Sequence, residues 1–358
     1  MQLTSLHIQN FRVIADTQLP CDRALNYLHG ENGAGKTSVL EALHVLASGQ
    51  SFRSTQLRHL IRRDQGLLRV SAALNSDAGH THRLGIEKHR NGTTRVRVDG
   101  HDVNRVSDLA AHMPLRAVAP DSHALVSGGP VLRRRFVDWG VFHVEQRERF
   151  PWRRYARALE QRNAVLKGQP EAALLDAIDE QLAQYGDAIA ACRQAYIDRI
   201  AALLPTYTSA FADTLAVACQ HAQGWRGDDG LAAALQRHRA DCLRYRVTSV
   251  GPHRGDMVLT VDGKPAREVL SRGQQKAVLY ALTLAQADDF HQQGGRRMIL
   301  LCDDLASELD AARCQAVLER LLGLGHQLFV TGVEPQKVLS DQAARVFHVK
   351  QGEVKLVV

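Results

Sequence analysis

The chain lacks most of what would place it outside the cell or in a membrane. Its six cysteines (Cys21, Cys192, Cys219, Cys242, Cys302, Cys314) are scattered, with no C-x-x-C pair. That excludes a disulfide framework and a zinc ribbon, and predicts reduced, mostly buried thiols in a cytosolic protein. No apolar run approaches the ~18 residues of a membrane helix. The opening MQLTSLHIQNFRV has no apolar core of the signal-peptide kind. Low-complexity and long polar tracts are missing too, which excludes extended disorder. Lysine is scarce: most of the 45 basic residues are arginine, and the net charge is +7. Arginine matches phosphate with a planar fork, so this balance favours a nucleic-acid partner. The expected location is the cytoplasm, with no membrane partner.

What is present is an ordinary globular composition, 45% hydrophobic and 23% charged over 358 residues. That length exceeds what one core usually serves, so two lobes are expected. Strand-like alternation marks residues 1–29, with Leu3, Leu6 and Ile8 as spaced apolar positions and a short run from Ala24 to His29. Further short strands are read at Leu68–Leu74, Arg83–Lys88 and Thr94–Val98, the last ending in an Asp99-Gly100 hairpin turn. From about Pro130 to Arg246 the pattern turns helical, most plainly over Glu171–Leu204. The helices read as too short and too irregular in heptad register for a long coiled coil. Strands return at Met257–Val261, Met298–Cys302, Gln327–Val330 and Arg345–Val349.

Between the strand ending at His29 and a helix over Ser38–Leu46 stands Gly30-Glu31-Asn32-Gly33-Ala34-Gly35-Lys36-Thr37, a full match to the phosphate-binding GxxxxGK[ST] loop. Its glycines let successive backbone N–H groups face a triphosphate, and the helix N-terminus adds partial positive charge. Lys36 is expected to reach the β- and γ-phosphates and Thr37 to ligate Mg²⁺, with Ser38 closing the cradle. The run Met298–Asp304 is the matching Walker B strand. Asp303 is expected to hold Mg²⁺, largely through water, and Asp304 to orient or deprotonate the attacking water. The predicted cofactors are therefore ATP and Mg²⁺, and the catalytic set is Lys36, Asp303 and Asp304.

The stretch from Lys36 to Asp303 takes up most of the chain, which implies a lobe inserted between two halves of one site, the plan of ABC ATPases. The expected fold is α/β: an ABC/SMC-type P-loop head from residues 1–120 and 293–358, with a mainly helical second lobe over 121–292. Shortly before Walker B, Leu270-Ser271-Arg272-Gly273-Gln274-Gln275-Lys276 opens a helix with Ser271 as its cap. By itself this also suits a capped surface helix. As a signature motif, Ser271, Gly273 and Gln274 would touch the triphosphate of a second copy in a head-to-tail dimer. Ser307-Glu308-Leu309-Asp310 matches the D-loop that follows Walker B in such proteins.

Taken together, these motifs resemble the RecF family, the small SMC-related ATPases of bacterial recombinational repair. The likeness spans nearly the whole chain: Asn10-Phe11-Arg12, Ser51-Phe52-Arg53-Ser54, the block from Gly129-Pro130 through Arg133-Arg134-Arg135 to Trp139, Gln161-Arg162-Asn163 and Gly251-Pro252-His253-Arg254. Taken singly, the triple arginine also suits a solvated helix face and Gly-Pro-His-Arg a simple turn. The resemblance implies that Arg12 lies near bound nucleotide and that ATP drives homodimerisation. It further implies that the dimer clamps double-stranded and gapped DNA, that slow, DNA-stimulated hydrolysis releases it, and that RecR, RecO and RecA are partners. Arg58, Arg62 and Arg63 are candidate phosphate contacts.

Some positions depart from related patterns. Thr331-Gly332 follows the Gln327–Val330 strand where ABC transporters carry a switch histidine, and Ala119-Pro120-Asp121 offers no Q-loop glutamine. Gly255 stands where the family more often has an acid. The rival readings are an ABC transporter nucleotide-binding subunit, which would be expected to carry both missing residues, and another SMC-like or overcoming-lysogenization-type ATPase. The last would show an added acidic metal cluster or a long coiled coil, and a pure ATP-binding scaffold would have no use for Asp304.

Overall fold

Strand β1 (Gln2–Phe11) buries Leu3, Leu6, Ile8 and Phe11 together. Strict alternation would send Leu3 and Leu6 to opposite faces; a register shift against the neighbouring strand Leu67–Asn75, between Leu3 and Ser5, returns both to the core. In the computed structural model, which describes residues 1–77, 79–144, 150–168, 171–209, 211, 215–305, 310–334 and 344–357, β1 belongs to the first of two compact units. That unit comprises Met1–Ser122 and Phe290–Val358; the second is His123–Asp289.

The first unit has two sheets. β1 joins β2 (Ile14–Pro20), β4 (Leu67–Asn75), β5 (Thr81–His89), β6 (Thr94–Val98) and β7 (His101–Val103) in an antiparallel sheet of order β2-β1-β4-β5-β6-β7. The other sheet has the order β15-β14-β3-β13-β12-β8. It is built from β3 (Leu25–His29), β8 (Leu115–Val118), β12 (Ile299–Cys302), β13 (Gln327–Gly332), β14 (Ala344–Lys350) and β15 (Glu353–Leu356). All its pairs are parallel except β14 with β15. Helix α1 (Lys36–Ser48) is buried on nearly every side, and Val39, Leu40, Leu43 and Leu46 share one core with Ile8, Val70, Ile299 and Phe329. Each fully buried leucine contributes about 2 kcal/mol, so packing stabilises a helix whose two valines and histidine are poor formers. Shorter α2 (Val106–His112) packs beside α1, and among the described residues no helix is long and apolar enough to cross a membrane.

The second unit contains α3 (Ala124–Ser127), α4 (Pro130–Val144), α5 (Phe150–Lys167), α6 (Ala172–Ser209), α7 (Gly230–Arg237), α8 (Arg239–Tyr245), α9 (Ala266–Val269) and most of α10 (Arg272–Gln292). It departs from the sequence reading in two places. The helical pattern expected up to Arg246 is broken by β9 (Val217–Ala222), which forms an antiparallel sheet with β10 (Asp256–Val261) and β11 (Lys264–Pro265). Only Val217 and Cys219 of β9 turn inward, too short an alternation to read locally. Helix α6 is also longer than the periodicity suggests, 38 residues with Pro205 inside. Proline costs the helix a hydrogen bond, but Leu204, Tyr207 and Thr208 are buried around it and packing carries the helix on.

Of the three arginines that suit a solvated face, Arg135 is exposed, whereas Arg133 and Arg134 fasten this unit together with Arg193 and Arg162. Arg133 is 7% exposed and forks onto Asp256 with two 2.8 Å bonds. Arg193 does the same to Asp138 at 2.8 and 2.9 Å and donates to the Pro252 carbonyl, and Arg134 donates to the Gly255 carbonyl. Arg162, fully buried, pairs with Asp179 and reaches Thr248, whose N–H and hydroxyl both donate to Asn163. His253 accepts from the Tyr155 hydroxyl through Nδ1 and faces the Thr248 carbonyl with Nε2; burial holds its pKa below the ordinary imidazole value. Gly251, at φ +130°, has no room for a Cβ beside the Tyr155 hydroxyl. Blocks far apart in sequence thus meet in one hydrogen-bonded core.

Among the cysteines, Cys192 is half-buried and the other five are buried. Burial raises the Cys219 and Cys302 thiols to about 12, which leaves them protonated and unreactive.

Candidate nucleotide site

The end of β3 delivers the chain into the turn Gly30–Gly35, and α1 begins at Lys36. Gly30 adopts φ +151°, and a Cβ there would lie 2.1 Å from the Val349 carbonyl oxygen on β14. The turn is therefore pressed against the sheet in a way only glycine allows. Gly35, at φ +118°, precedes α1 without a side-chain cap, which leaves the first N–H groups of the helix for an anion. Glu31, Asn32 and Gly33 are exposed at the tip, whereas Ala34, Gly35, Lys36 and Ser38 are buried.

Lys36 is 8% exposed, and its Nζ donates to the carbonyls of Gly30 at 2.7 Å and Glu31 at 2.9 Å. Burial lowers its pKa, an effect opposed by the nearby carboxylates of Asp304 and Asp303. Thr37 faces the opposite strand: its hydroxyl donates to Asp303 Oδ1 at 2.9 Å.

Asp303 follows β12 directly, is 7% exposed and has its own N–H bonded to the Val118 carbonyl on β8's side. Burial raises its pKa above the usual carboxylate value, while hydrogen bonds from Thr331 and Thr37 and the charge of Arg53 act the other way. Asp304 adopts φ +54°, a left-handed backbone that aspartate tolerates better than most residues. Its N–H donates to Thr331 Oγ1, and the Thr331 hydroxyl donates to Asp303 Oδ1, both at 2.8 Å. Thr331 therefore links the two aspartates from the end of β13. Sequence reasoning noted that position only for the histidine it lacks; the signal that could have found it is a hydroxyl at the C-terminal end of the neighbouring parallel strand.

Arg12, at φ +52° in the β1–β2 turn, does not stand open. Its Nε and Nη2 both donate to the fully buried Glu41 of α1. Arg58 is exposed and bonds to Gln56, and Arg63 is 94% exposed.

The first unit thus brings Lys36, Thr37, Asp303 and Asp304 together. Ser271, Gly273 and Gln274 belong to the second unit, all exposed. There the Ser271 hydroxyl accepts from the Gln274 N–H at 3.3 Å while Gln274 Oε1 accepts from the Ser271 N–H at 2.9 Å, a reciprocal capping box. Of the D-loop, residues 307–309 lie outside the described residues; Asp310 caps α11 (Ala311–Gly323) by accepting from the Arg313 N–H.

The chain is similar to known proteins over nearly its whole length. The family model for the RecF/RecN/SMC N-terminal domain matches residues 2–355. A DNA replication and repair protein RecF from Edwardsiella ictaluri is 37% identical, covering 99% of both chains. One of the same description from Shewanella denitrificans is 37% identical over the full length of both. Among solved structures, the recombination mediator protein RecF-ATP of the RecFOR pathway superposes with a TM-score of 0.90 at 24% identity, over 100% of this chain and 98% of that one. The Smc head domain from Pyrococcus furiosus superposes at 0.59 and 12%, over 99% of this chain and 96% of that one. With its P-loop and Walker B strand joined through Thr37 and Asp303, this chain belongs to the RecF family within the RecF/RecN/SMC N-terminal domain proteins.

Proposed function

We propose that the chain is a slow, DNA-stimulated ATPase whose ATP-bound homodimer clamps double-stranded DNA at gaps and junctions. Hydrolysis then releases the DNA, and the cycle acts with RecR and RecO in placing RecA in the cytoplasm. The observation that carries this reading is the Thr37–Asp303 hydrogen bond, which joins motifs 266 positions apart into one polar pocket at the C-terminal ends of parallel strands.

Lys36 and the N–H groups of the Gly30–Thr37 turn would bind the phosphates, and Arg12, Glu31, Asn32, Gly33, Ala34, Gly35 and Ser38 would line the cradle. Thr37 and Asp303 present hydroxyl and carboxylate oxygens, the hard donors that suit Mg²⁺. Among the described residues no group of three or more His, Cys, Asp and Glu is set for a metal; phosphate oxygens and water normally complete a Mg²⁺ shell. When bound, the ion would neutralise charge on the phosphates. Ser271, Gly273 and Gln274 would close the pocket of a second copy.

Asp304, turned beside the pocket, would orient the attacking water and accept its proton. Asp304→Asn is expected to retain ATP binding and lower hydrolysis by about 10²–10⁴-fold, leaving dimers that persist in ATP. Phosphate release at the unaltered rate would remove Asp304 from this role.

Contacts to DNA phosphates release counterions, so binding should weaken by on the order of 10³-fold between 50 and 200 mM salt. Replacing Arg58, Arg62 and Arg63 with alanine is expected to flatten the salt dependence by about two to three charges. Fluorescence anisotropy on a labelled duplex measures both slopes; equal slopes would place the DNA elsewhere.

A further inference from the structure

Glu41, in the second turn of α1, is a fully buried carboxylate among Val39, Leu40, Ala42 and Leu43. Removing a carboxylate from water is costly unless it is paired and hydrogen-bonded. Two groups from different segments repay that cost. Arg12 donates through Nε and Nη2 from the β1–β2 turn, and Ser51 donates its hydroxyl from the segment after α1. The Ser51 oxygen in turn accepts the N–H groups of Arg53 and Ser54, both at 2.9 Å, which fixes the turn that carries Arg53.

Both segments border the phosphate pocket. Val13, next to Arg12, packs against Gly35, its Cγ2 3.0 Å from where a Cβ would stand. Arg53 lies close enough to Asp303 for its charge to stabilise that carboxylate. The Arg12 side chain keeps 19% exposure. A guanidinium has five N–H groups, so a side-on pair with one carboxylate leaves the others for a second anion.

We infer that Glu41 is a positioning residue for the nucleotide site: it aims Arg12 and, through Ser51, Arg53 at the phosphates cradled by Gly30–Thr37. The inference rests on the nucleotide reading above and adds to it a buried carboxylate that touches no phosphate itself. Its geometry is that of a hub, with helix α1 carrying the P-loop lysine at its start and the arginine anchor a turn further on.

The test is a double-mutant cycle in the full chain, read as the dissociation constant of N-methylanthraniloyl-ATP and as steady-state hydrolysis. Glu41→Gln keeps the shape and an acceptor but removes the charge, and is expected to weaken nucleotide binding about tenfold. In an Arg12→Ala background the same substitution should change binding by less than about twofold. A purely structural role predicts equal losses in both backgrounds, or none in the folded variant; either overturns the inference. If Glu41→Gln fails to fold, Ser51→Ala probes the other arm: hydrolysis should fall severalfold, and no further once Arg53→Ala is present. Additive losses there overturn it equally. No analogue binding by the unaltered chain would overturn the nucleotide reading itself, an outcome distinct from normal binding with uncoupled variants.

Discussion

Lys36→Met is expected to abolish ATP-driven dimerisation and to reduce hydrolysis below detection. Lys36 is 8% exposed and its ammonium is held at the turn by the Gly30 and Glu31 carbonyls, so its charge stands at the loop that would cradle the phosphates. A hydrogen bond to a charged group contributes about 1.5–3 kcal/mol, which makes the loss in ATP affinity on the order of 10- to 100-fold. Charge developing in the transition state depends more steeply on a preorganised donor, and removal of one such group costs about 10²–10³-fold. The methionine fills the same channel, so the fold should persist. Sedimentation with and without ATP, beside a phosphate-release assay, checks both. Dimers forming normally in ATP would exclude Gly30–Thr37 as the binding turn.

Ser271→Arg separates binding from closure. Ser271 caps α10 through the reciprocal bonds with Gln274, and loss of a serine cap costs about 1 kcal/mol. The buried stretch Ala277–Ala287 of α10 makes that a minor loss for the helix. Because Ser271–Gln274 are exposed in the second unit while Lys36, Thr37, Asp303 and Asp304 lie in the first, the monomer should bind ATP within about threefold of normal. A long side chain at a closely packed contact costs several kcal/mol, so dimerisation should weaken by roughly 100-fold or more. Titrating a fluorescent ATP analogue against both proteins, then sedimenting each in ATP, distinguishes the effects. Equal loss of monomer binding would show that Ser271 serves its own chain's pocket, contrary to a composite site.

The two phosphate-site motifs differ in how far they can be read along the chain. Gly30–Thr37 is legible because its constraints are local: a strand, glycines free to take left-handed angles and a helix start. Asp303-Asp304 is legible as the end of an apolar strand. Thr331 and Glu41 are not, because their importance lies in partners distant along the chain: Asp303 and Arg12. Arg133 misleads for the same reason, since an arginine's sequence neighbours do not reveal that Asp256 lies beside it. Strand β9 is hidden by brevity; pairing with β10 and packing against α6 hold it in place.

The residue order alone determined the α/β class, the phosphate turn and the strand that carries the paired aspartates, which depend on neighbours a few positions apart, and the kinship with RecF proteins, which depends on the order of motifs along the chain. Tertiary contact decided the rest: the hydroxyl of Thr331 between the Asp303 carboxylate and the Asp304 N–H, the buried glutamate that holds Arg12, and the arginine forks inside the second unit. The reason is energetic. A buried charge is tolerable only where a partner meets it, and the fold, not the local sequence, brings that partner.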